Sequence, residues 1–148
     1  MDIYAVREAI ADAARATVMP AGVPKLNCSG YTPNSVTAPH FFVAEYEIDF
    51  DKAHGRALDE VEFTCRILLG RADDKAAQRT LDGLLSGSGP GSLKASIEAA
   101  RGAPGEAALG GLADDLHLRR MQGNRWYEHN GTQYVGAELI LKVIGSGA

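Results

Sequence analysis

The spacing of apolar and polar positions changes from helical to alternating as the chain proceeds. Residues 2–17 repeat apolar side chains at helical spacing with charged residues on the other side, which predicts an N-terminal helix. Residues 40–50 and 58–69 alternate instead, which predicts two half-buried strands joined by a turn, residues 51–57, into an antiparallel hairpin. One face of the first strand is expected to hold Phe42, Ala44, Tyr46, Ile48 and Phe50.

The second half of the chain predicts two more helices and then further strands. Helical spacing covers residues 74–85, with Asp73 as the N-cap, and a shorter helix is expected over 93–101. Alternation resumes in three segments, 116–121, 125–129 and 133–144. Asn130-Gly131 is a strong signal for a tight hairpin turn. Strands that come in pairs and triples predict an α+β fold: a mostly antiparallel sheet of four to five strands, with two to three helices packed on one face and the N-terminal helix first.

The connection from the first helix to the first strand, residues 18–39, is long and rich in proline and glycine. Proline biases the residue before it toward extended backbone, and a connection of this length is uncommon in a compact domain unless it has a function. We expect a short extra strand within residues 26–31 and an extended arm elsewhere. The chain is thus predicted to be a single domain, 1–148, with this arm and a flexible C-terminal tail, 145–148.

Composition and charge narrow the classes of function. The 148 residues are 45% hydrophobic and 23% charged, which is ordinary for a globular domain. The net charge of -4 disfavours tight binding to nucleic acid. Cys28 and Cys65 are too few for a disulfide scaffold, and we interpret both as reduced thiols. Because no apolar run could cross a membrane and the first residues lack a signal-peptide pattern, we expect a cytoplasmic protein unless it leaves within a particle.

Side chains able to do chemistry are dispersed along the sequence. Spacing typical of a metal site is absent from the histidines, which are His40, His54, His117 and His129. The loop at residues 87–92 could hold an anion at a helix start, yet it lacks nucleotide-binding motifs, so a linker between helices is favoured. A nucleophile pair of one cysteine with a distant histidine stays open, without a local signature. We therefore predict no catalytic residues, no cofactor and no metal.

Two groups of residues have the composition of a contact surface. One is an acidic face of the first hairpin, made of Glu45, Glu47, Asp49, Glu60 and Glu62. It would line a pore or meet a basic partner, although a solvated sheet face is the simpler interpretation. The other clusters arginine and aromatic residues, which are enriched where proteins meet, and consists of Arg119, Arg120, Arg125, Trp126 and Tyr127. A role for Trp126 as a buried core anchor stays an equal alternative.

Three stretches, in order along the chain, share a pattern of glycine, proline and aromatic residues with a known family. They are residues 30–41 (GYTPNSVTAPHF), a stretch from Leu69-Gly70-Arg71-Ala72-Asp73-Asp74 through Leu81-Asp82 to residues 87–94 (GSGPGSLK), and residues 134–139 (YVGAEL). Taken together, they resemble the tail terminator proteins of long-tailed phages of actinobacteria. The chain departs from the family's pattern at Ala38, where a second proline is expected before Pro39.

The resemblance implies an α+β subunit of a six-membered ring, without catalytic residues. Such a ring would cap the head-proximal end of the tail tube in the virion, after assembly in the host cytoplasm. Its partners would be copies of itself, the major tail tube protein and a neck or head-completion protein, while DNA passes through without being specifically bound. A head–tail connector or head-closure protein is the nearest alternative. Alternatives of other classes are a small enzyme acting on phosphorylated ligands at the loop 87–92 and a monomeric regulatory binding module.

A closed ring of identical subunits uses head-to-tail contacts, so each subunit needs two different surfaces. The arm and the arginine-rich hairpin are the predicted ones, and sheet edges could also pair across subunits. The candidate subunit or tube interface in the arm consists of Tyr31, Pro33, Pro39 and Phe41. The arginine and aromatic cluster, from Arg119 to Tyr127, is the candidate interface in the hairpin.

Overall fold

The computed structural model of the chain describes residues 1–50, 58–71, 75–103 and 105–146. The predicted turn at 51–57 and the predicted N-cap at Asp73 lie outside these residues. In chain order the elements are α1 (Ile3–Ala14), β1 (Asn27–Ser29), β2 (His40–Asp49), β3 (Leu58–Arg71), α2 (Lys75–Leu84), α3 (Leu93–Glu98), β4 (Asp115–His129) and β5 (Thr132–Ser146). Single 3-10 turns lie at Ala99–Arg101 and Leu109–Gly111.

The five strands form one sheet in the order β1-β2-β3-β5-β4. β1 is parallel to β2, and every other neighbouring pair is antiparallel. The predicted α+β fold, with a mostly antiparallel sheet and the N-terminal helix first, is confirmed. The extra strand expected within residues 26–31 is β1. Two of the three predicted C-terminal strands form a single strand, β4. With β1 included, the sheet therefore still has five strands.

The three helices pack on one face of the sheet and share one core with it. Asp2 is the N-cap of α1, and its Oδ1 accepts a hydrogen bond from the backbone amide of Ala5 at 3.1 Å. This amide has no partner within the helix, and an N-cap side chain normally supplies one. The alternating positions of β3 and β5 face the helices. Buried apolar side chains of the core include Val6, Ile10, Leu81, Leu84, Leu93, Ile97, Phe63, Cys65, Ile67, Leu139 and Leu141. Among the described residues, no helix has the length and apolar character needed to cross a membrane.

The predicted grouping of side chains on β2 is wrong for the first half of the strand. A β-bulge lies between Val43 and Glu45. Upstream of it, Phe41 is fully buried in the core and Phe42 lies on the opposite face of the sheet. Downstream of it, Tyr46 points to the helix side, so it does not share a face with Phe42. One extra residue in a strand reverses the alternation, and an unbroken alternating pattern does not reveal it.

The segments 116–121 and 125–129, predicted as two strands, form one 15-residue strand, β4. Two register shifts interrupt it, between Leu118 and Arg120 and between Gln122 and Arg125. Bulges bend a strand and increase its twist without ending its pairing. The break in periodicity therefore marks bulges of one strand and not a loop between two.

The C-terminal hairpin is confirmed at its turn and corrected at its end. Asn130 and Gly131 have φ of 50° and 81°, the left-handed geometry that this turn requires. The predicted flexible tail is wrong for Gly145 and Ser146, which belong to β5 and pair with β3. A Cβ added at Gly145 would lie 2.7 Å from the sulfur of Met1, so the start of the chain packs against this strand end.

Candidate functional site

The predicted acidic residues come together on the helix-free face, the face of the sheet opposite α1, α2 and α3. The register places Glu47 opposite Glu62 and Asp49 opposite Glu60, with Glu45 on the same face of β2. Like charges directly opposite each other destabilise a sheet unless cations or water compensate them. The neighbours of these carboxylates therefore decide what the face can do.

Basic side chains from β4 and β5 neutralise part of this acidic group. Nζ of Lys142 lies 2.5 Å from Oε1 of Glu60, which is only 4% exposed, and Nη1 of Arg119 lies 2.8 Å from Oε2 of Glu62. A buried carboxylate is tolerated when it has a cationic partner, and Lys142 is one such partner for Glu60. The helix-free face is thus a mixed charged surface, which the pattern of acidic residues alone did not indicate.

A second set of ion pairs centres on Arg66 of β3. Its Nη2 lies 3.5 Å from Oε1 of Glu45, and its Nε lies 3.3 Å from Oε1 of Glu138. Arg125 of β4 contacts the same Glu138, with Nη1 3.3 Å from Oε2. The Arg66 guanidinium also lies over the ring of Tyr127, 5.2 Å from its centroid. These contacts join four strands on one face, from β2 through β3 and β5 to β4.

The hairpin formed by β4 and β5 bends over the helix-free face. The contact of Tyr127 with Arg66 already spans from β4 to β3. The ring of His129 lies 6.4 Å from that of Phe42 on β2, and the side-chain amide of Asn130 donates a hydrogen bond to the backbone carbonyl of Asn34 in the arm. The bulges of β4 increase the twist that this bend requires. The sequence predicts the hairpin, but its docking depends on residues almost a hundred positions away.

A buried histidine, His40, lies beside the docked hairpin. It is 9% exposed, its Nε2 lies 2.9 Å from Oγ of Ser29, and its ring meets Phe42 edge-on at 5.9 Å. Burial lowers the pKa of His40, and the nearby charge of His129 lowers it further. The fold therefore favours the neutral form of this side chain.

The stability of the fold is expected to fall as the pH drops through about 6.5, in part because of His40. The unfolded chain takes up a proton at the ordinary histidine pKa of 6.5, whereas folded His40 takes it up only at lower pH. Protonation thus favours the unfolded state, and the contribution present above that pH is lost below it. Chemical denaturation at neutral and mildly acidic pH measures the slope. His40→Gln should flatten it and His117→Gln, at an exposed position, should not; equal slopes in all three proteins would refute this role.

The predicted arginine and aromatic cluster lies on β4, an edge strand of the sheet. Arg119 and Arg120 are exposed at the first bulge, and Trp126 is 67% exposed. This exposure decides against Trp126 as a core anchor. Arg119, Arg125 and Tyr127 contact side chains of the helix-free face: Arg119 pairs with Glu62, Arg125 with Glu138, and Tyr127 lies under Arg66. Burial raises the pKa of the Tyr127 hydroxyl. Three of the five residues therefore hold the hairpin against the sheet, and Arg120 and Trp126 stay exposed.

The arm divides into an exposed tip and a buried end. Tyr31 is 58% exposed and Pro33 is half-buried, so both stay candidates for a contact. The assignment of Pro39 and Phe41 to an interface is wrong, because Pro39 is buried and Phe41 lies fully inside the core. The reason is β1: the backbone amide of Asn27 donates to the carbonyl of Pro39 at 3.0 Å, which draws this end of the arm into the sheet.

Within the described part of the chain, both lateral edges of the sheet have backbone that pairs with no further strand. β4 pairs only with β5 there, so its outer edge is unpaired along the strand. β1 covers β2 only from His40 to Phe42, and Arg7 donates through Nη2 to the carbonyl of Val43 at 3.1 Å. From Ala44 to Ile48 no described strand pairs with the outer edge of β2. Sequence reasoning missed this second edge, because which strands lie outermost depends on the strand order.

The described residues contain no cluster of three or more histidine, cysteine or acidic side chains that could hold a metal ion. Burial raises the pKa of the Cys28 thiol to about 11 and raises that of fully buried Cys65 as well, so neither ionises readily. In the loop 87–92, Oγ of Ser92 donates to the carbonyl of Ser86 and accepts from the amide of Ala95, which makes it a helix cap.

No protein-family model matches the chain, and a search of curated proteins finds no relative.

Proposed function

We propose that this chain is the tail terminator subunit of a long-tailed phage, a structural protein whose ring caps the head-proximal end of the tail tube. The proposal joins two independent lines of support. The first is the resemblance of residues 30–41, 69–94 and 134–139 to that family, in the same order along the chain. The second is the presence of two unlike open edges in one sheet.

The two open edges are the observation that best supports assembly into a ring. A closed ring of identical subunits needs two different surfaces that fit each other, whereas a two-fold dimer needs only one. At one edge of the sheet, β4 presents exposed arginines and Trp126. At the opposite edge, β2 presents exposed carboxylates, among them Glu45 and Glu47. When one edge of such a subunit binds a neighbour, its other edge stays available for the next subunit.

The mixed charge of the helix-free face fits a channel wall through which DNA passes. Tight binding to a phosphate backbone rests on many lysine and arginine contacts that release counterions. On this face Lys142, Arg119 and Arg66 are each paired with a carboxylate. A wall on which most cations are neutralised would let DNA slide past without holding it.

Removing the protein tests the proposal directly. In a phage that encodes this chain, deletion of its gene is expected to give tails of uncontrolled length, or tails that do not join heads, in negative-stain electron micrographs. Supplying the wild-type chain in trans should restore finished tails. Finished particles of normal appearance without the protein would refute the proposal.

The partner of the ring separates a terminator from a neighbouring neck component. A terminator is expected to bring down the tail tube protein from lysates of infected cells, and to bind purified tubes at one end. Retention of a portal or adaptor protein without tube protein would instead assign the chain to a head–tail connector or head-closure role.

A further inference from the structure

We propose that copies of this chain associate edge to edge, with β4 of one copy pairing with the open part of β2, residues 44–48, of the next. The occupant of each edge is a second copy of the same chain. The association would extend one sheet from subunit to subunit through backbone hydrogen bonds, as in strand addition generally. Only the closure of this association into a ring rests on the proposed function.

Charge complementarity between the two edges supports this pairing. Arg120 lies on the helix-free face, because it pairs with Ile140 of β5, and it is exposed. Glu45 and Glu47 lie on the same face of β2 and are also exposed. Placing β4 beside β2 brings Arg120 next to these carboxylates. Opposite charges on directly neighbouring strands stabilise a sheet, and like charges destabilise it.

The same charges disfavour the competing symmetric arrangements. Pairing β4 with β4 of another copy would bring arginines against arginines, and pairing β2 with β2 would bring Glu45 and Glu47 against carboxylates. Discrimination of this kind, in which the wrong partner is rejected by repulsion, is a common source of specificity. The contact is therefore heterologous, which allows a ring or a filament but not an isolated two-fold dimer.

Exposed aromatic side chains flank both edges. Tyr46 on β2 is 47% exposed, and Phe50, just after β2, is 73% exposed. Trp126 on β4 is 67% exposed. Aromatic side chains are enriched at protein interfaces, where they dominate the energetics. Beside the open edges, these side chains would add apolar contact to the backbone pairing.

A charge-reversal exchange tests the pairing. The isolated chain is expected to sediment as an oligomer at concentrations where Arg120→Glu and Glu47→Lys are each monomeric. Each reversal should raise the concentration for half-assembly about tenfold or more, since juxtaposed like charges cost several kcal/mol at an interface. The double variant should assemble again. An equimolar mixture of the two single variants should assemble as well, because alternating subunits satisfy both contacts.

Matched reversals on α2 serve as controls. Arg79→Glu and Asp82→Lys reverse exposed charges of the same sign as Arg120 and Glu47, but in the helix layer and not on an edge strand, so they should leave assembly unchanged. Circular dichroism of each variant shows whether it is folded. The pairing is overturned if the wild-type chain stays monomeric throughout, if the α2 reversals weaken assembly equally, or if the mixture fails to assemble.

This result is distinguishable from a failure of the proposed function. Edge-to-edge assembly is measured on the purified chain alone, without tail tubes. If the charge exchange behaved as expected but gene deletion left finished tails, the pairing would stand and the terminator role would fall.

Discussion

Replacing Gly136 by alanine is expected to destabilise the fold by about 3 kcal/mol, because there is no room for a side chain at this position. A Cβ there would lie 2.2 Å from the carbonyl oxygen of Ile67 and 3.1 Å from Cδ2 of Leu68. The nearer atom belongs to the backbone of β3, a strand paired on both sides, so it cannot rotate away. Relief requires β5 to move off β3, which disturbs the pairing that begins the docked hairpin. Urea or guanidinium unfolding of the purified variant measures the loss.

Gly83→Ala is the matched control for this substitution. Gly83 lies within α2, and nothing is within 4 Å of an added Cβ. Alanine is favoured over glycine in a helix interior by about 1 kcal/mol, so this variant should be slightly more stable than the wild type. If Gly136→Ala lost less than about 1 kcal/mol, the close approach of β5 to β3 would be refuted.

Phe63→Ala is expected to cost about 3 to 5 kcal/mol, the usual loss for truncating a buried phenylalanine. Phe63 is fully buried in β3, at the centre of the sheet, and its ring lies 5.9 Å from that of Tyr46. The surrounding strands are held by pairing on both sides, so the space cannot close by a small movement. The free energy of unfolding from chemical denaturation gives the size of the effect.

Phe50→Ala is the control for burial. Phe50 is 73% exposed, so its removal should change the free energy of unfolding by no more than about 0.5 kcal/mol. The comparison requires dilute, monomeric protein, because association stabilises whatever it binds. Equal losses for the two variants would contradict the assignment of Phe63 to the core. A normal stability of Phe50→Ala combined with weaker assembly would agree with a position of Phe50 at the edge contact.

The elements of the fold could largely be predicted because their causes are local. The period of apolar residues determines α1 and α2, and the turn at Asn130-Gly131 needs left-handed backbone that these two residues tolerate. Errors arose where one residue breaks a pattern. The bulge of β2 placed Phe41 in the core, and the bulges of β4 divided one strand into two predicted segments.

The sequence predicted which residue types form the candidate site, but not the contacts between them. The acidic residues from Glu45 to Glu62 were predicted on one face, and they lie there. Their cations, Lys142 and Arg119, come from strands far along the chain, so no local pattern indicated the ion pairs. The same holds for the burial of His40, which depends on β1 and on the docked hairpin.

Local periodicity and turn chemistry thus determined the helices, the hairpins and the α+β class, since each depends on neighbours within a few residues. Strand order, bulge positions and the docking of the C-terminal hairpin were decided only by the tertiary structure, because they follow from packing a whole core at once. The open edges of β2 and β4 belong to this second group. A strand lies at an edge when no further strand pairs with its outer side. The spacing of residues along the sequence does not show which strands these are.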